Sequence, residues 1–186
     1  MITPNSITNY NRTEAELEEF LLFAILVAGK SAEQQAKKLE QFLAGCPYSK
    51  YTPFQYLEYL IKTSTLTGEM MRLKLGQYKR LTFAFIGILK FKDRLKEVTI
   101  EELESVYGVG CKTARFFVLH SRPAAKVAVL DTHILKWMKA LGHNVPKATP
   151  TKRNYSIIEK IFLTIAEAKG MSVAELDLQI WKSYAN

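Results

Sequence analysis

Two glycines, a lysine and an aspartate are the residues of this sequence whose types and spacing best suit chemistry. Gly108 and Gly110 flank one apolar residue in Leu103-Glu-Ser-Val-Tyr-Gly-Val-Gly-Cys-Lys-Thr-Ala, which predicts a tight turn between two helices. The first amides of the second helix have no intrahelical partner, and the helix dipole adds partial positive charge there. Such a turn can hold a phosphate oxygen.

Lys112 follows the turn, in the first turn of the second helix, where the helix dipole disfavours a cation. The dipole effect is only about 0.3–1 kcal/mol, or roughly 0.2–0.7 pKa units, so it cannot make Lys112 a free amine at neutral pH. A nucleophilic role therefore requires burial near Phe116 and Phe117, or help from a base. Asp131, the lone carboxylate between Val127 and Leu135, is the candidate partner.

Each of these features also has a purely structural interpretation. A Gly-x-Gly sequence between helices is usually just a turn, and a lysine such as Lys112 is usually solvated. Asp131, followed by Thr-His-Ile, suits a helix N-cap worth about 1 kcal/mol. The compact order of hairpin, lysine and aspartate favours the chemical interpretation, and an N-cap would itself fix the carboxylate of Asp131 in position.

In this order, the hairpin, Lys112 and Val129-Leu-Asp-Thr-His-Ile resemble the helix-hairpin-helix DNA glycosylases of the endonuclease III superfamily. The resemblance implies that Lys112 attacks C1′ of a flipped nucleotide, displaces the damaged base and forms an imine that can eliminate the 3′ phosphate. It also implies that Asp131 accepts a proton from Lys112 or stabilises positive charge on the sugar. The DNA backbone would be held, directly or through a bound monovalent cation, by the amides of Tyr107, Gly108, Val109 and Gly110.

Further segments are similar to the small, cluster-free 8-oxoguanine DNA glycosylase/lyases of the type-two family, among them Phe23-Ala-Ile-Leu-Val-Ala-Gly-Lys-Ser-Ala-Glu and Glu175-Leu-Asp-Leu-Gln-Ile-Trp181. The resemblance implies a bifunctional DNA glycosylase/AP lyase of base excision repair, with 8-oxoguanine in double-stranded DNA as the favoured substrate. Trp181 would form one wall of the base pocket. Phe116, one helical turn after Lys112, is a geometric candidate for another wall. Core packing is the alternative for both aromatic residues.

Two positions depart from that family. Relatives place Asn or Gln after the first buried helix, where it fills the gap left by the flipped base. Here Gly29 takes that place, so Lys30 is the candidate substitute unless the filling residue lies elsewhere. Type-two relatives also continue to a terminal lysine that helps to recognise the oxidised purine, whereas this sequence ends at Asn186. Both departures concern base specificity more than chemistry.

The composition is that of an ordinary globular chain, with 48% hydrophobic and 24% charged residues among 186. The 26 Lys and Arg against 18 Asp and Glu give a net charge of +8, which suits a polyanion such as DNA. Cys46 and Cys111 supply no ligand set for zinc or an iron–sulfur cluster. We therefore expect no metal and no cofactor apart from the hairpin cation, and two free thiols in a reducing compartment.

No apolar stretch is long enough to cross a bilayer, since the run Leu21 to Ala28 is far shorter than the roughly 20 residues required. We expect no membrane partner. The remaining expectation is a cytoplasmic monomer that associates with the nucleoid.

Helical periodicity without useful β-alternation predicts an all-α fold. A capping box at Thr13 and Glu16 opens the first helix, and the polar stretch Met1 to Arg12 predicts an extended arm. We expect two helical lobes with a DNA-binding cleft between them. One lobe would comprise residues 21–121 and end in the helix-hairpin-helix, and the other would combine residues 1–20 with residues 122–186. Later helices are predicted at Ser31–Leu43, Pro53–Thr63, Thr67–Leu75, Tyr78–Lys90, Leu130–Leu141, Thr151–Lys169 and Ser172–Trp181.

Two alternative functions stay open at the level of sequence. The first keeps the same chemistry but acts on oxidised pyrimidines or on abasic sites alone. The second is a DNA-binding module that uses the helix-hairpin-helix without catalysis, in which case the amine of Lys112 would be dispensable.

Overall fold

A computed structural model of the chain describes residues 2–184, and every regular element within that range is helical. The expected all-α fold is therefore confirmed. The contacts divide the chain into two compact units. Unit 1 contains Asn11–Gly110 together with the residues up to Ile7, and unit 2 contains Thr8–Tyr10 together with the residues from Cys111 onward. None of the described helices is long and apolar enough to cross a membrane.

Unit 1 is built around its first helix, which packs against the second, third and fifth. Thr13 and Glu16 form the expected capping box at its start, and its residues from Phe20 to Leu26 are buried. The Glu18 carboxylate is buried with them and accepts a hydrogen bond from Phe54 N–H at 2.9 Å. The helices of unit 1 are α1 (Glu14–Leu26), α2 (Ala32–Ala44), α3 (Pro53–Lys62), α4 (Leu66–Arg72), α5 (Tyr78–Ile88) and α6 (Ile100–Glu104).

In the part of unit 2 that the structure describes there are four helices, α7 (Cys111–Ser121), α8 (Thr132–Ala140), α9 (Lys152–Ala168) and α10 (Val173–Tyr184). Helix α10 packs against each of the other three. Their apolar faces bury a core that includes Leu130, Ile134, Met138, Phe162 and Ile180. Helix α8 begins two residues later than expected because Ala128, Val129 and Leu130 are buried outside any helix, and Asp131 caps the helix instead of lying inside it.

The structure divides the chain at different positions from the lobes expected from the sequence. The main boundary falls between Gly110 and Cys111 rather than after residue 121, because α7 packs against α10. A boundary after residue 20 would cut through α1, which is one continuous helix that contacts α2, α3 and α5. The helix-hairpin-helix therefore connects the two units instead of ending one of them.

The amino-terminal segment is more ordered than an extended arm. Pro4–Ser6 forms a turn of 3-10 helix, and Ile7 is buried. The buried Arg12 guanidinium donates a hydrogen bond from Nη2 to the Ile7 carbonyl at 2.6 Å. Met1, which the expectation included, lies outside the described residues.

The turn that precedes α7 packs closely on α5, and both contacts require glycine. Gly108 has φ +88, and a Cβ there would lie 2.8 Å from Arg80 Cγ and 3.0 Å from the Arg80 carbonyl oxygen. Gly87, inside α5, faces Val106 so closely that a Cβ would lie 2.7 Å from its Cγ1. A glycine inside a helix is usually unfavourable, and here its absent side chain allows the close approach.

Replacement of Gly108 by alanine is expected to destabilise the protein by about 2–5 kcal/mol. Roughly 1–2 kcal/mol comes from the left-handed backbone, and about 1–3 kcal/mol comes from overpacking against Arg80. The measurement is the free energy of unfolding in urea. Gly110→Ala is the matched control, since its φ is not in the left-handed region and nothing lies within 4 Å of the added carbon. Equal stabilities for the two variants would contradict this account of the turn.

Candidate active site and hairpin

The hairpin turn spans residues 105–110 and is held by its own backbone. Val109 is buried, and its N–H donates to the Val106 carbonyl at 3.0 Å. Val109 therefore anchors the turn, and its amide is not available as one of the expected phosphate donors. Gly110 is exposed and leads directly into Cys111, so the N-terminus of α7, where the helix dipole carries partial positive charge, follows an exposed residue.

A half-buried arginine in unit 1 supports the turn from behind. Arg80 Nη1 donates to the Gly108 carbonyl at 2.8 Å, Nη2 donates to the Ile25 carbonyl at 3.0 Å, and Nε donates to Gln77 Oε1 at 2.6 Å. Burial lowers the pKa of Arg80 from its ordinary value, but an arginine retains its charge in proteins. A fixed positive charge therefore lies against the carbonyl of the hairpin glycine.

This contact bears on the monovalent cation that the resemblance implies. The Gly108 carbonyl already accepts a guanidinium donor, and the Val106 carbonyl accepts the Val109 N–H. A second cation at Gly108 would be repelled by the first. The guanidinium therefore disfavours a further cation at the Gly108 oxygen, and among the described residues no group of three or more His, Cys, Asp or Glu is placed to hold a metal ion.

The exposed side of the turn carries aromatic rings. Tyr107 is 65% exposed, Phe83 on α5 is 50% exposed, and their ring centroids lie 5.5 Å apart in an edge-to-face arrangement. Sequence reasoning missed Phe83 because an aromatic residue in a helix is usually a core residue. Its exposure could be read only from the structure.

Lys112 lies at the start of α7 in surroundings that disfavour its charge. Its Nζ lies 4.9 Å from the centroid of the Phe116 ring, whereas Phe117 is fully buried in the core. Burial lowers the pKa of Lys112, although Asp131 and Asp177 act in the opposite direction. The condition that the sequence set for a nucleophilic role, burial near an aromatic residue and a carboxylate, is met by these contacts.

Asp131 is the N-cap of α8. Its Oδ1 accepts hydrogen bonds from His133 N–H and Ile134 N–H, both at 2.9 Å. The cap fixes the orientation of the carboxylate and leaves Oδ2 uncommitted by these bonds. Asp131 is also the stronger of the two carboxylates that act on the Lys112 ammonium. Capping and proximity to the lysine, which the sequence offered as two interpretations, coexist in one residue.

Hydrogen bonds to α9 hold the buried segment before Asp131, and they help to determine where its carboxylate lies. The Tyr155 hydroxyl accepts from Leu130 N–H and donates to the Ala128 carbonyl, both at 2.9 Å. Glu159 Oε1 accepts from Ala128 N–H at 2.9 Å and from Arg115 Nε on α7 at 2.8 Å. One carboxylate thus links the helix that carries the lysine to the segment that carries the aspartate.

A second carboxylate near Lys112, that of Asp177 on α10, was missed in the sequence. Asp177 is buried, and its Oδ2 lies 3.2 Å from Nε2 of the fully buried His120. A signal for it existed, since Asp177 lies three residues from Ala174 and from Ile180 on the buried side of an amphipathic helix. An acidic residue on such a face is uncommon unless it is paired.

The remaining candidates have mixed outcomes in the structure. Trp181 is half-buried on α10, one turn after Asp177. Phe116 is half-buried and packs beside the cluster of Leu119, Val129 and Ala174, which agrees with the core-packing interpretation while its ring also contacts Lys112. Lys30 does not extend into solvent. Its Nζ donates to the Leu75 carbonyl at 2.6 Å, and burial lowers its pKa.

Replacement of Lys112 by methionine is expected to stabilise the protein at neutral pH. The folded state loses the lysine proton at a lower pH than the unfolded chain does, since burial lowers the pKa from 10.5. Above the folded pKa the unfolded chain binds more protons, so raising the pH toward 10.5 stabilises the wild type relative to the variant. The stability gap between the two should therefore narrow as pH rises, which urea unfolding at several pH values measures. Lys139→Met, at an exposed position on α8, is the control. If the difference in unfolding free energy between wild type and Lys112→Met does not change with pH, the ammonium of Lys112 is not buried.

Comparison with known proteins identifies the family. The family model for 8-oxoguanine DNA glycosylase of the helix-hairpin-helix type matches residues 5–171. The chain is 29% identical over 178 residues to the 8-oxoguanine DNA glycosylase/AP lyase of Thermoplasma volcanium, covering 89% of this chain and 78% of the relative. It is 28% identical over 184 residues to the protein of that name from Thermotoga sp., covering 91% and 80%.

Solved structures agree on the fold. The 8-oxoguanine glycosylase/lyase of Methanocaldococcus jannaschii, in complex with a 15mer DNA containing 8-oxoguanine, superposes with a TM-score of 0.73 at 24% identity, covering 94% of this chain and 83% of that one. The 8-oxoguanine DNA glycosylase of Thermotoga maritima gives a TM-score of 0.69 at 24% identity, covering 92% and 81%. The resemblance noted in the sequence is confirmed, and the chain belongs to the helix-hairpin-helix family of 8-oxoguanine DNA glycosylases.

Proposed function

We propose that this protein excises 8-oxoguanine from double-stranded DNA and then cleaves the strand at the resulting abasic site through an imine on Lys112. The observation that carries the proposal is that a desolvated lysine at the start of α7 lies within electrostatic reach of the capped carboxylate of Asp131. The protein's relatives are named 8-oxoguanine DNA glycosylase/AP lyase, and this name supports both base excision and strand cleavage.

Binding begins with the backbone of the damaged strand. The exposed Gly110 and the N-terminal dipole of α7 offer a site for a phosphate oxygen, and Arg80 behind Gly108 adds a fixed positive charge. Exposed basic residues contribute salt-dependent affinity. No bound cation is required in this scheme, because the guanidinium of Arg80 already supplies positive charge at the turn.

The nucleotide must leave the base stack before its glycosidic bond can be reached, at a cost of a few kcal/mol. Trp181 is the proposed surface on which the extruded base stacks, with Phe116 beside Lys112 as the second candidate wall. The gap left in the duplex needs an inserted side chain. Lys30 folds back onto Leu75, whereas the Phe83 ring is exposed, so Phe83 is a second candidate for the inserted side chain.

The reaction itself needs a free amine and a stabilised sugar. The Lys112 lone pair forms a bond to C1′ as the bond from C1′ to the base breaks, and Asp131 stabilises the positive charge that develops on the sugar. Loss of the ring oxygen bond gives an imine, from which β-elimination expels the 3′ phosphate. We further propose that the protein acts as a monomer on nucleoid DNA in the cytoplasm.

Borohydride trapping tests the imine. Wild type should form a covalent adduct with a duplex carrying 8-oxoguanine and with an abasic duplex, because reduction makes the imine permanent. Lys112→Gln should form none, and Lys139→Gln, at an exposed position on α8, should trap as wild type does. Thermal unfolding confirms that each variant is folded.

The other outcomes discriminate between the alternatives. If trapping is strongest on a duplex with an oxidised thymine, that base and not 8-oxoguanine is the preferred substrate. If only the abasic duplex is trapped, the protein catalyses the lyase step alone. Release of free base without an adduct would indicate a glycosylase that uses water. Normal DNA binding with neither product would leave a helix-hairpin-helix binding module.

Trp181→Ala tests the base pocket. Stacking of a base on an aromatic ring is worth about 1–3 kcal/mol, so the single-turnover rate of 8-oxoguanine excision should fall about 5- to 100-fold. Cleavage of a preformed abasic site should stay close to wild type, since that substrate has no base to stack. An equal loss on both substrates would show that Trp181 supports the fold rather than the base.

A further inference from the structure

Asp177 has an oxygen that the fold buries and leaves without a partner. Only 7% of the residue is exposed. Its Oδ2 pairs with His120 Nε2 at 3.2 Å, whereas its Oδ1 is fully buried and forms no hydrogen bond. Burial raises the pKa of Asp177 above its ordinary value, although the contact with His120 acts in the opposite direction. An unsatisfied buried oxygen usually costs about 1–3 kcal/mol, so this one calls for a functional explanation.

His120 holds the other oxygen in place through a short chain of hydrogen bonds. Its ring is fully buried, and Nδ1 lies 2.8 Å from the Thr8 hydroxyl. In a neutral ring, Nε2–H donates to the Asp177 carboxylate, and Nδ1 accepts from Thr8. The Asn9 N–H also donates to the His120 carbonyl at 3.1 Å. The segment from Thr8 to Tyr10 thereby fixes the histidine that orients Asp177.

Helix α7 relates this pair to the lysine. Lys112, Phe116 and His120 are spaced four residues apart, so they lie along one stripe of the helix. The Phe116 ring lies 4.9 Å from Lys112 Nζ and 5.0 Å from the His120 ring centroid. Asp177 is close enough to act electrostatically on the Lys112 ammonium. Three titratable groups therefore face Asp177, namely His120 and Lys112 from α7 and Asp131 from the cap of α8.

The carboxylates of Asp131 and Asp177 differ in their hydrogen bonds and in their exposure to solvent. Asp131 is fixed by two backbone amides, and its charge is the one needed beside the sugar. Asp177 is desolvated. When two carboxylates lie near each other, the more desolvated one takes a proton more readily. Such a difference in environment separates the roles of two acids in one site.

We propose that Asp177 Oδ1 is the atom that receives the proton of Lys112, while Asp131 serves the sugar. This inference rests on the imine chemistry proposed above. One proton passes from Nζ to Oδ1, which converts the ammonium and carboxylate into an amine and a carboxylic acid with no change in net charge. The amine lone pair then forms the bond to C1′, and the base departs with the electron pair of the broken bond. The new secondary ammonium returns a proton to that departing base.

Asp177→Asn separates this role from a structural or purely electrostatic one. Asparagine keeps the shape and an oxygen that can accept from His120, but it cannot take the proton. The single-turnover rate of adduct formation should fall about 100-fold or more at neutral pH, which is typical for loss of a general base. The rate should recover as pH rises, because hydroxide then removes the proton.

An electrostatic role predicts the opposite result. Loss of a negative neighbour would lower the pKa of Lys112, so the rate would persist at neutral pH and its profile would move to lower pH. That result with Asp177→Asn would overturn the inference and leave the imine intact. Absence of an adduct with wild type would overturn the proposed function as well, so the two failures are distinguishable.

Thr8→Val provides a second variant in case Asp177→Asn does not fold. It keeps the carboxylate but removes the hydroxyl that holds His120. Adduct formation should slow several-fold at neutral pH and recover at alkaline pH, with DNA affinity unchanged. An unchanged rate and pH profile in a folded Thr8→Val protein would count against the relay.

Discussion

The burial of the Lys112 ammonium is the constraint around which unit 2 is arranged. Both the dipole of α7 and the loss of water disfavour its charge, whereas two carboxylates and the face of the Phe116 ring favour it. Such a group weakens the fold, and proteins retain it where reactivity requires it. Its surroundings are accordingly well fixed. Tyr155 and Glu159 on α9 hold the segment before Asp131, and His120 on α7 holds Asp177 on α10. Each helix of the unit thus contributes to the environment of one amine.

The hairpin turn is also stabilised by only a few residues. A phosphate site needs exposed amides, and exposed amides need a rigid turn behind them. Val109 fills the interior of the turn, while Gly108 lets its backbone approach α5. Arg80 then joins the turn to the end of α1 by hydrogen bonds to two carbonyl oxygens. Because these acceptors are neutral, the charge of Arg80 remains uncompensated by them, and its field favours an anion at the surface of the turn.

The local features of the site followed from the sequence, and its long-range partners did not. Some features depend on only a few consecutive residues, so a short sequence pattern predicts them. These are the positive φ of Gly108, the cap at Asp131 and the capping box at Thr13. Arg80 meets Gly108 across 28 positions and His120 meets Asp177 across 57. Such pairs are determined by how helices pack, and helix packing leaves little trace in a single sequence. The two contact units have different boundaries from the expected lobes for the same reason, since the packing of α7 on α10 decides the unit to which α7 belongs.

The role of Asp131 illustrates why capping and catalysis can reside in one residue. A carboxylate that stabilises a developing positive charge must be oriented before the charge appears, because reorientation during the reaction would cost free energy. Two amide hydrogen bonds at 2.9 Å supply that orientation in the ground state. The same bonds make Asp131 less suited to taking and releasing a proton, since protonation would weaken the cap. A second, uncapped carboxylate is therefore the simpler means of deprotonating the lysine, and α10 supplies one in Asp177.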